Sequence, residues 1–379
     1  MAKLRKRNIK NNMRIALIHD YIIAYGGAEK TFKTLIEIFP DAEVYTLFYD
    51  SKIKNKFFSK IKIKTSFIQK FPTILRRRYQ LLLPFLPIAA ETLDFRDFDL
   101  VISSSFSFTK GIITRPKTKH ICYCYSPTRY LWDYYLNKKP GNFLARLLVH
   151  YIRIWDRQAS ERVDNFVAIS GTVQKRIKKY YKRDSIIIYP PVQFLISNFE
   201  FPNKSKTQNP KHEYYLIVSQ LRKYKRIDLA VEAFNKLGLK LIIIGDGPEK
   251  SKLQKKAKKN IKFLGWQPDE VVEKFYKNCS AFIFPSEDDF GIAPVEAMSY
   301  GKPVLAYKKG GAVETIIEGQ TGEFFDWPDV AVLADGVRRL RQNFTKYDSR
   351  FIAEHARIFS KDRFKKEFKR QINKILDLK

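Results

Sequence analysis

The chain has 379 residues, of which 45% are hydrophobic and 29% charged, and it carries a net charge of +32 at pH 7. This balance excludes wholesale disorder, and the length favours two to three domains. The longest nearly unbroken apolar run spans about ten residues, whereas a membrane-spanning helix needs roughly 20, and three cysteines without zinc spacing exclude a disulfide framework and a structural zinc site.

The first 200 residues alternate short apolar runs with longer amphipathic segments. A basic extension over residues 1–12 precedes them, and no apolar stretch of secretory length follows it, so we expect a cytoplasmic protein. The predicted strands of this half are 14–19, 43–49, 99–103, 120–125, 165–169 and 185–189. Because the alternation is typical of βαβ units, it predicts an α/β domain with a parallel sheet over residues 13–196.

Positive charge is densest between residues 51 and 90, where ten Lys and Arg residues stand without a single Asp or Glu. Arg76, Arg77 and Arg78 lie beside aliphatic and aromatic residues, as cations do in segments that bind at a membrane interface. The stretch therefore predicts peripheral contact with an anionic membrane. A solvated surface and a nucleic-acid-binding surface are the alternatives.

A polar stretch over residues 197–213 interrupts the alternation, which then resumes. Strands are predicted at 215–219, 240–244, 261–264, 281–284 and 303–306. They predict a second Rossmann-like domain over 214–358, with 197–213 as the linker and a C-terminal helix within 359–379. Ligands of open parallel sheets bind beyond the carboxyl ends of the strands, so we expect the two domains to face each other across one cleft.

Two glycine-rich turns stand between a predicted strand and a predicted helix. Gly26 and Gly27 precede the first helix, where bare backbone amides and the helix dipole favour a phosphate. The segment 245–249 repeats the arrangement in the second domain, with Pro248 suited to the first helical turn. A tight turn that needs glycine for its dihedral angles explains either sequence as well, because neither is a GxGxxG or Walker motif.

A basic loop follows the first strand of the second domain. It places Arg222, Lys223, Lys225 and Arg226 within five positions. Cations at the carboxyl end of a strand are suited to neutralising a departing diphosphate. An exposed basic turn is the alternative.

An acidic loop follows the fourth strand of that domain and leads into a helix, for which Pro294 is the predicted first position. Asp288 lies in the loop and Glu296 in the predicted first turn, so we expect both carboxylates to face the cleft. Such a pair suits hydrogen bonds to vicinal hydroxyls of a sugar and a ribose. For Glu296, complementing the helix dipole is the alternative role. Gly310 and Gly311 provide another close-approach loop or a plain turn.

Taken in order, these features resemble the family 4 retaining glycosyltransferases. The resemblance covers about residues 13 to 345 and rests on the glycine pairs at 26–27 and 310–311, Lys225 with Arg226, and the segments 245–249, 288–296 and 301–304. The run Cys-Tyr-Cys-Tyr-Ser-Pro-Thr-Arg-Tyr-Leu-Trp-Asp at 122–133 is most similar to bacterial members that use GDP-mannose.

The resemblance implies the GT-B fold, in which two Rossmann-like domains face each other across a cleft. The first domain would bind mainly the acceptor and the second mainly the sugar nucleotide. The implied reaction is a retaining transfer of a hexose, with mannose from GDP-mannose as the first expectation, to a lipid-linked or polysaccharide acceptor in cell-surface glycan synthesis. The sugar nucleotide is a substrate; neither a cofactor, nor a metal, nor a nucleic-acid partner is implied.

The resemblance also implies roles for individual residues. Lys225, Arg222 and Asp288 would be catalytic, with Lys225 on the diphosphate and Asp288 on the transferred sugar, and Glu296 would hold the ribose. The further donor-binding positions are Gly26, Gly27, Gln220, Arg226, Gly245, Glu249, Phe290, Gly291 and Ile292, and the acceptor positions are Tyr125 and Arg129.

Three positions depart from the family pattern. Asp288 stands where the family has Glu, Gln220 where it generally has Arg, and Tyr125 where a histidine is common. We therefore expect Arg222 to take over part of the phosphate contact. His120 does not replace that histidine, because an odd offset along a strand points to the opposite face. The alternative functions are a transferase with a UDP-sugar donor, a GT-B sugar-nucleotide epimerase and a basic nucleic-acid-binding protein.

Overall fold

The computed structural model describes residues 13–133, 143–193 and 214–376. They divide into two units, each built on one sheet. The first unit comprises the chain up to Tyr189 together with the segment from Phe364, and the second runs from Pro190 to Arg363. The predicted basic extension, 1–12, and the predicted linker, 197–213, lie outside the described residues.

The first unit contains a seven-stranded parallel sheet in the order β3-β2-β1-β4-β5-β6-β7. Its strands are β1 (Ile15–His19), β2 (Glu43–Thr46), β3 (Ile63–Thr65), β4 (Leu100–Ser105), β5 (Lys119–Cys124), β6 (Asn165–Ala168) and β7 (Ser185–Ile187). The central strands are buried almost throughout, as strands are when helices cover both faces of a sheet. The order reverses between β1 and β4, which is the point where doubly wound folds bind ligands.

The second unit contains a six-stranded parallel sheet in the order β10-β9-β8-β11-β12-β13. Its strands are β8 (Tyr215–Val218), β9 (Leu241–Ile244), β10 (Ile261–Gly265), β11 (Ala281–Phe284), β12 (Val304–Tyr307) and β13 (Gly322–Phe325). Both units are thus Rossmann-like, and the predicted α/β fold class is confirmed.

Helices connect the strands in both units. Those of the first unit are α1 (Gly27–Ile38), α2 (Ser51–Phe57), α3 (Thr73–Arg77), α4 (Leu86–Glu91), α5 (Phe143–Ala159) and α6 (Gly171–Arg176). Those that follow are α7 (Ile227–Leu237), α8 (Lys250–Lys256), α9 (Asp269–Asn278), α10 (Ile292–Ser299), α11 (Ala312–Thr315), α12 (Val330–Gln342), α13 (Ser349–Ala356) and α14 (Lys361–Ile375). Within the described ranges, none of the helices combines the length and the apolar character that crossing a membrane requires.

The C-terminal helix α14 packs on the first unit. The rings of Phe364 and Phe368 lie 5.7 and 5.9 Å from that of Tyr123 on β5. Lys365 pairs with Glu37 of α1 at 2.8 Å. The last helix therefore completes the core of the unit that begins the chain.

Candidate functional site

The glycine turn after β1 is closed by a carboxylate from the helix that follows it. Gly26 caps α1, and its backbone N–H donates to Oε2 of Glu29 at 2.8 Å. Glu29 is buried, and its charge complements the positive end of the helix dipole. The amide of Gly26, predicted to meet a phosphate, is therefore already bound to the protein's own anion, whereas no such bond involves the amide of Gly27 among the described contacts.

A series of hydrogen bonds between buried side chains reaches the backbone of this turn at Ala28. The hydroxyl of Tyr125 lies 2.9 Å from the carbonyl oxygen of Ala28 and 2.9 Å from Oγ of Ser104. That Oγ lies 3.0 Å from Nδ1 of His19 at the end of β1. Because a carbonyl oxygen only accepts, the Tyr125 hydroxyl donates its hydrogen bond to Ala28. It therefore accepts a hydrogen bond from the Ser104 hydroxyl, which in turn accepts one from Nδ1 of His19. Burial raises the pKa of Tyr125 well above its ordinary value, so the phenol stays a neutral donor.

Tyr125 was predicted as an acceptor contact, and the structure instead places its hydroxyl inside the first unit. His120, five residues earlier, contacts Oγ of Ser103 at 2.8 Å through Nε2. Ser103 and Ser104 are successive residues of β4 and therefore point to opposite faces of the sheet. Their partners His120 and Tyr125 thus lie on opposite faces as well, as the odd spacing between those two residues predicts. Burial lowers the pKa of His120 to about 4, which keeps its ring neutral.

The loop after β5 is tied down by one buried carboxylate. Asp156 on α5 accepts from Oγ1 of Thr128 at 2.6 Å and from Nε1 of Trp132 at 2.9 Å. Nζ of Lys110 lies 2.5 Å from the same carboxylate, and neither side chain of this ion pair is more than 2% exposed. Arg129, the other predicted acceptor contact, is half-buried in this loop. The bonds of Thr128 and Trp132 to Asp156 therefore hold the segment on both sides of Arg129 in place.

The basic loop of the second unit rests on the turn after β9. The backbone N–H of Leu221 donates to the carbonyl oxygen of Asp246 at 2.9 Å. The backbone N–H of Glu249 donates to the carbonyl oxygen of Leu221 at 3.0 Å. A Cβ at Gly245 or Gly247 would collide with the backbone of the basic loop. Glycine is thus required here because two loops touch and because φ is positive, 134° at Gly245 and 158° at Gly247, and the dihedral angles agree with the turn explanation for segment 245–249.

Two residues with predicted roles at the donor, Gln220 and Arg222, contact each other in the basic loop. Nε of Arg222 donates to Oε1 of Gln220 at 3.2 Å, and both residues are exposed. Gln220 therefore orients the arginine that is expected to compensate for it. Arg226 has a left-handed backbone, with φ of 51°, and its guanidinium lies 3.6 Å from the carboxylate of Asp228.

Lys225 and Asp288, the two residues with the most direct predicted roles, form an ion pair between Nζ and Oδ2. Their side chains are 17% and 18% exposed. The other carboxylate oxygen, Oδ1 of Asp288, is buried and lacks a hydrogen-bond partner in the described part of the chain. Both residues follow parallel strands, β8 and β11, which are adjacent in the sheet. The structure thus joins the basic and the acidic loop at the carboxyl edge of the second sheet.

The glycine pair after β12 fixes the backbone of the acidic loop. The amide of Gly311 donates to the carbonyl oxygen of Asp288 at 2.8 Å. A Cβ at Gly310 would meet the backbone of Asp288, and one at Gly311 would meet the backbone of Phe290. The close approach that the sequence predicts at this pair therefore positions Asp288.

The carboxylate of Glu296 is bonded to a different residue from those of the Lys225–Asp288 ion pair. Its Oε2 accepts from the hydroxyl of Tyr276 at 2.9 Å. Burial, together with the neighbouring charge of Glu296, raises the pKa of Tyr276 well above its ordinary value, so Tyr276 remains a donor. The Tyr276 ring also stacks on Tyr300 at 5.8 Å. These contacts orient the carboxylate that is predicted to hold a ribose.

Two predicted helix starts are wrong. Helix α10 begins at Ile292, because Gly291, with φ of 86°, forms its N-cap. Pro294 is therefore the third residue of the helix and Glu296 lies in its second turn. Helix α8 begins at Lys250, so Pro248 precedes it. Proline is tolerated at the third position of α10 because the first amides of a helix have no partner within the helix, whereas Pro248 lies outside α8.

Phe290 is a buried core residue. It is 3% exposed, and its ring lies 5.5 Å from that of Phe359. The side chain predicted to bind the donor thus anchors the acidic loop, while the neighbouring Ile292 is only half-buried.

The three arginines of the first unit that were expected to face a membrane have different environments. Arg76 is buried and donates to the carbonyl oxygens of Phe71, at 3.0 Å, and Tyr49. Arg77 pairs at 3.2 Å with Asp50, the acid just before the basic stretch. The prediction of one lipid-facing arginine cluster is therefore wrong for Arg76, which has a structural role.

Comparisons with protein families assign both halves of the chain. The family model described as Glycosyltransferase Family 4 matches residues 25–193. The model described as Glycosyl transferases group 1 matches residues 198–357. Between them, the two models span the chain except for its ends and a short gap.

Individual relatives are distant but match over most of their length. An uncharacterized glycosyltransferase of Methanocaldococcus jannaschii is 24% identical over 316 residues, which cover 82% of this chain and 83% of that protein. An alpha-1,3/1,6-mannosyltransferase of Homo sapiens is 24% identical over 327 residues, covering 77% of each chain.

Solved structures share the fold. A lipopolysaccharide outer core galactosyltransferase in its apo form has a TM-score of 0.66 at 20% identity, over 96% of this chain and 99% of that chain. The Anabaena protein HepE, in complex with UDP-glucose, has a TM-score of 0.69 at 19% identity, over 97% of this chain and 100% of that chain.

Proposed function

The chain belongs to the family 4 glycosyltransferases and has the GT-B fold, and from this premise we propose that it transfers mannose from GDP-mannose with retention of configuration. The acceptor is a lipid-linked saccharide or a polysaccharide in cell-surface glycan synthesis. The 122–133 run and the similarity to an enzyme named as an alpha-1,3/1,6-mannosyltransferase support this choice of sugar. The sugar nucleotide is a substrate, and the proposed reaction uses neither a metal nor a cofactor.

The observation that carries the proposal is the ion pair between Lys225 and Asp288 beside the Gly310–Gly311 loop. A cation that is less than one-fifth exposed interacts more strongly with a diphosphate than it would in bulk water. When the donor binds, its phosphates compete with Asp288 for Nζ of Lys225. The freed carboxylate, whose Oδ1 already lacks a partner among the described residues, then accepts hydrogen bonds from the hydroxyls of the sugar.

Charge on the leaving group is the main obstacle to this reaction. Lys225 and Arg222 offset the charge that develops on the diphosphate as the bond to the sugar breaks. The acceptor hydroxyl attacks from the same face, and a phosphate oxygen takes its proton, so no side chain with a specially tuned pKa is required. Glu296, held by Tyr276, accepts hydrogen bonds from the ribose. Gly27, Arg226, Gly245 and Glu249 remain predicted donor contacts.

A UDP-sugar is the alternative donor. The structural neighbour HepE is a complex with UDP-glucose, and the chain shares its fold at low identity. The protein is further proposed to act in the cytoplasm, at the inner face of an anionic membrane that carries the lipid-linked acceptor, because its charge is strongly positive.

Thermal unfolding of the purified full chain with GDP, UDP, ADP and their sugar conjugates tests the donor. A ligand at 100-fold excess over its Kd adds about 2.7 kcal/mol to the free energy of unfolding. We expect GDP and GDP-mannose to give the largest shift. A shift with UDP-glucose alone would reject mannose transfer and favour the alternative donor.

Variants and products separate the remaining alternatives. Glu296→Ala should lose most of the stabilisation by nucleoside diphosphate, whereas Glu270→Ala, an exposed acid on α9, should keep it. Conversion of the sugar nucleotide without any acceptor would identify an epimerase. Salt-dependent binding of random RNA, with no effect of any sugar nucleotide, would favour a nucleic-acid-binding protein.

A further inference from the structure

Helix α5 of the first unit exposes an apolar stripe to solvent. Leu144, Leu147, Tyr151 and Ile154 recur at intervals of three and four residues, which places them on one face of the helix. Their exposed fractions are 73%, 39%, 62% and 44%. The adjoining side of the helix carries Leu148, Val149, Ile152 and Trp155, which pack into a core of the first unit. The apolar part of the helix surface is thus wider than the part that packs on the core within the described residues.

A second apolar stripe runs along the segment 74–88. Ile74 lies on α3, and Leu81, Phe85 and Ile88 follow at intervals of four and three residues through a 3₁₀ helix and α4. They are 71%, 60%, 43% and 50% exposed. Other apolar residues of this segment, among them Leu82 and Leu86, are buried.

The segments that carry the two stripes pack on one core of the first unit. The buried residues of both segments enter the same hydrophobic core cluster. At the end of α4, Oε1 of Glu91 accepts from Nε1 of Trp155 on α5 at 2.7 Å. We call the exposed residues of the two stripes the apolar face. Exposed apolar surface that is grouped in this way marks an interaction site more often than scattered single residues do.

Charge around the apolar face is positive. The segments 51–90 and 143–155 contain no Asp or Glu, and they bring Arg78 and Arg146 to exposed positions. The nearby acids are bound within the unit, because Asp50 pairs with Arg77, Glu91 with Arg162 at 2.6 Å, and Asp156 with Lys110. A partner that approaches this face therefore meets apolar side chains and cations.

We infer that the apolar face docks on an anionic bilayer, with its aliphatic and aromatic side chains in the boundary between headgroups and acyl chains. This inference rests on the proposed membrane location and assigns that location to a surface. Alternating apolar stripes with cations at their edges are what an interfacial element requires. A second copy of this chain is a poor occupant, because it would bring like charge against like charge in a protein of net charge +32.

Flotation of the full chain with vesicles tests the inference. We expect tight binding to vesicles of equimolar phosphatidylcholine and phosphatidylglycerol, and weaker binding to vesicles of phosphatidylcholine alone. Leu144→Ser with Ile154→Ser should weaken binding to the anionic vesicles at least about tenfold, since two inserted aliphatic side chains are lost. The matched control is Phe351→Ser with Ile358→Ser in the second unit, whose side chains are 43% and 51% exposed; it should bind like the wild type.

Several results would overturn the inference. Equal binding by the α5 variant and the wild type would show that charge alone adsorbs the protein. A wild-type dimer that the α5 variant converts to a monomer, in sedimentation velocity without lipid, would assign the face to a second copy. The α5 variant should keep the wild-type melting temperature and its shift with sugar nucleotide. Failure of that shift in the wild type would reject the proposed donor and leave the vesicle result standing.

Discussion

Replacing Gly311 by alanine tests whether the Gly310–Gly311 loop positions Asp288. Gly311 has φ of −73° and ψ of −15°, a conformation that alanine adopts without strain. The added Cβ would, however, lie 2.3 Å from Cα, 2.5 Å from the carbonyl oxygen and 2.7 Å from the carbonyl carbon of Phe290, whereas ordinary contacts begin at 3.4 Å. Because these atoms are backbone, no rotamer change relieves the clash. The acidic loop must move.

The structure sets the size of the movement and of its effect. The three contacts require a displacement of about 0.7 to 1.1 Å to reach ordinary distances. A misplacement of about 1 Å near the reacting groups can cost about 100-fold in rate. We therefore expect Gly311→Ala to lower kcat/KM for the sugar nucleotide about 100-fold. Binding of the nucleoside diphosphate should change much less, because Asp288 is proposed to contact the sugar.

Release of nucleoside diphosphate from the preferred sugar nucleotide measures turnover, and calorimetric titration measures binding of the nucleoside diphosphate itself. Gly319→Ala is the matched control: its φ of +76° imposes backbone strain, but no atom lies within 4 Å of the added methyl group. Full turnover by Gly311→Ala would refute the proposed positioning. An equal loss in Gly319→Ala would point to general destabilisation of the second unit instead.

Three further predictions concern single side chains. Lys225→Ala should lower turnover by about 10²- to 10³-fold in the same assay, whereas Lys223→Ala, an exposed neighbour in the basic loop, should not. Asp156→Ala should lower the free energy of unfolding of the first unit by about 3 to 5 kcal/mol in urea titrations, because it leaves the charge of Lys110 buried and unpaired; Asp156→Leu combined with Lys110→Met should cost less, and an equal cost would contradict this reason. His120 should make stability depend on pH: its pKa of about 4 lies below the ordinary 6.5, so the unfolded chain binds the extra proton first, and the stabilisation is complete above pH 6.5 and lost as pH falls towards 4. His120→Gln should flatten that slope in unfolding titrations, and an unchanged slope would assign it to other groups.

The sequence allowed the sheets to be predicted well because apolar runs determine buried parallel strands. All 11 predicted strands are present with ends shifted by a few residues, but β3 and β13 were missed. Strand β3 lies at a sheet edge, where Lys64 stands between Ile63 and Thr65 and the segment resembles a basic surface. Strand β13 is four residues long and begins with Gly322. Periodicity is weak in both cases.

The site was predicted less completely, because its hydrogen bonds depend on tertiary contacts. Motif positions correctly indicated the loops of Lys225 and Asp288, yet nothing in the spacing showed that the two side chains pair. The bond from Gly26 to Glu29 could have been anticipated, since a glutamate at the third helical position commonly reaches back to the cap. The burial of Arg76 could not, because one of its acceptors is the backbone carbonyl of Tyr49, which is 27 residues away in sequence.

The return of α14 to the first unit means that neither lobe can be obtained by a single cut in the gene. A fragment ending at Tyr189 would lack Phe364, Phe368 and Ile372, all of which are buried in the intact chain, and would leave the ring of Tyr123 uncovered. Expression of isolated lobes therefore calls for a splice that joins the tail directly to the N-terminal fragment. For the same reason, a truncation from the C terminus removes core residues of the lobe that the ribosome synthesises first.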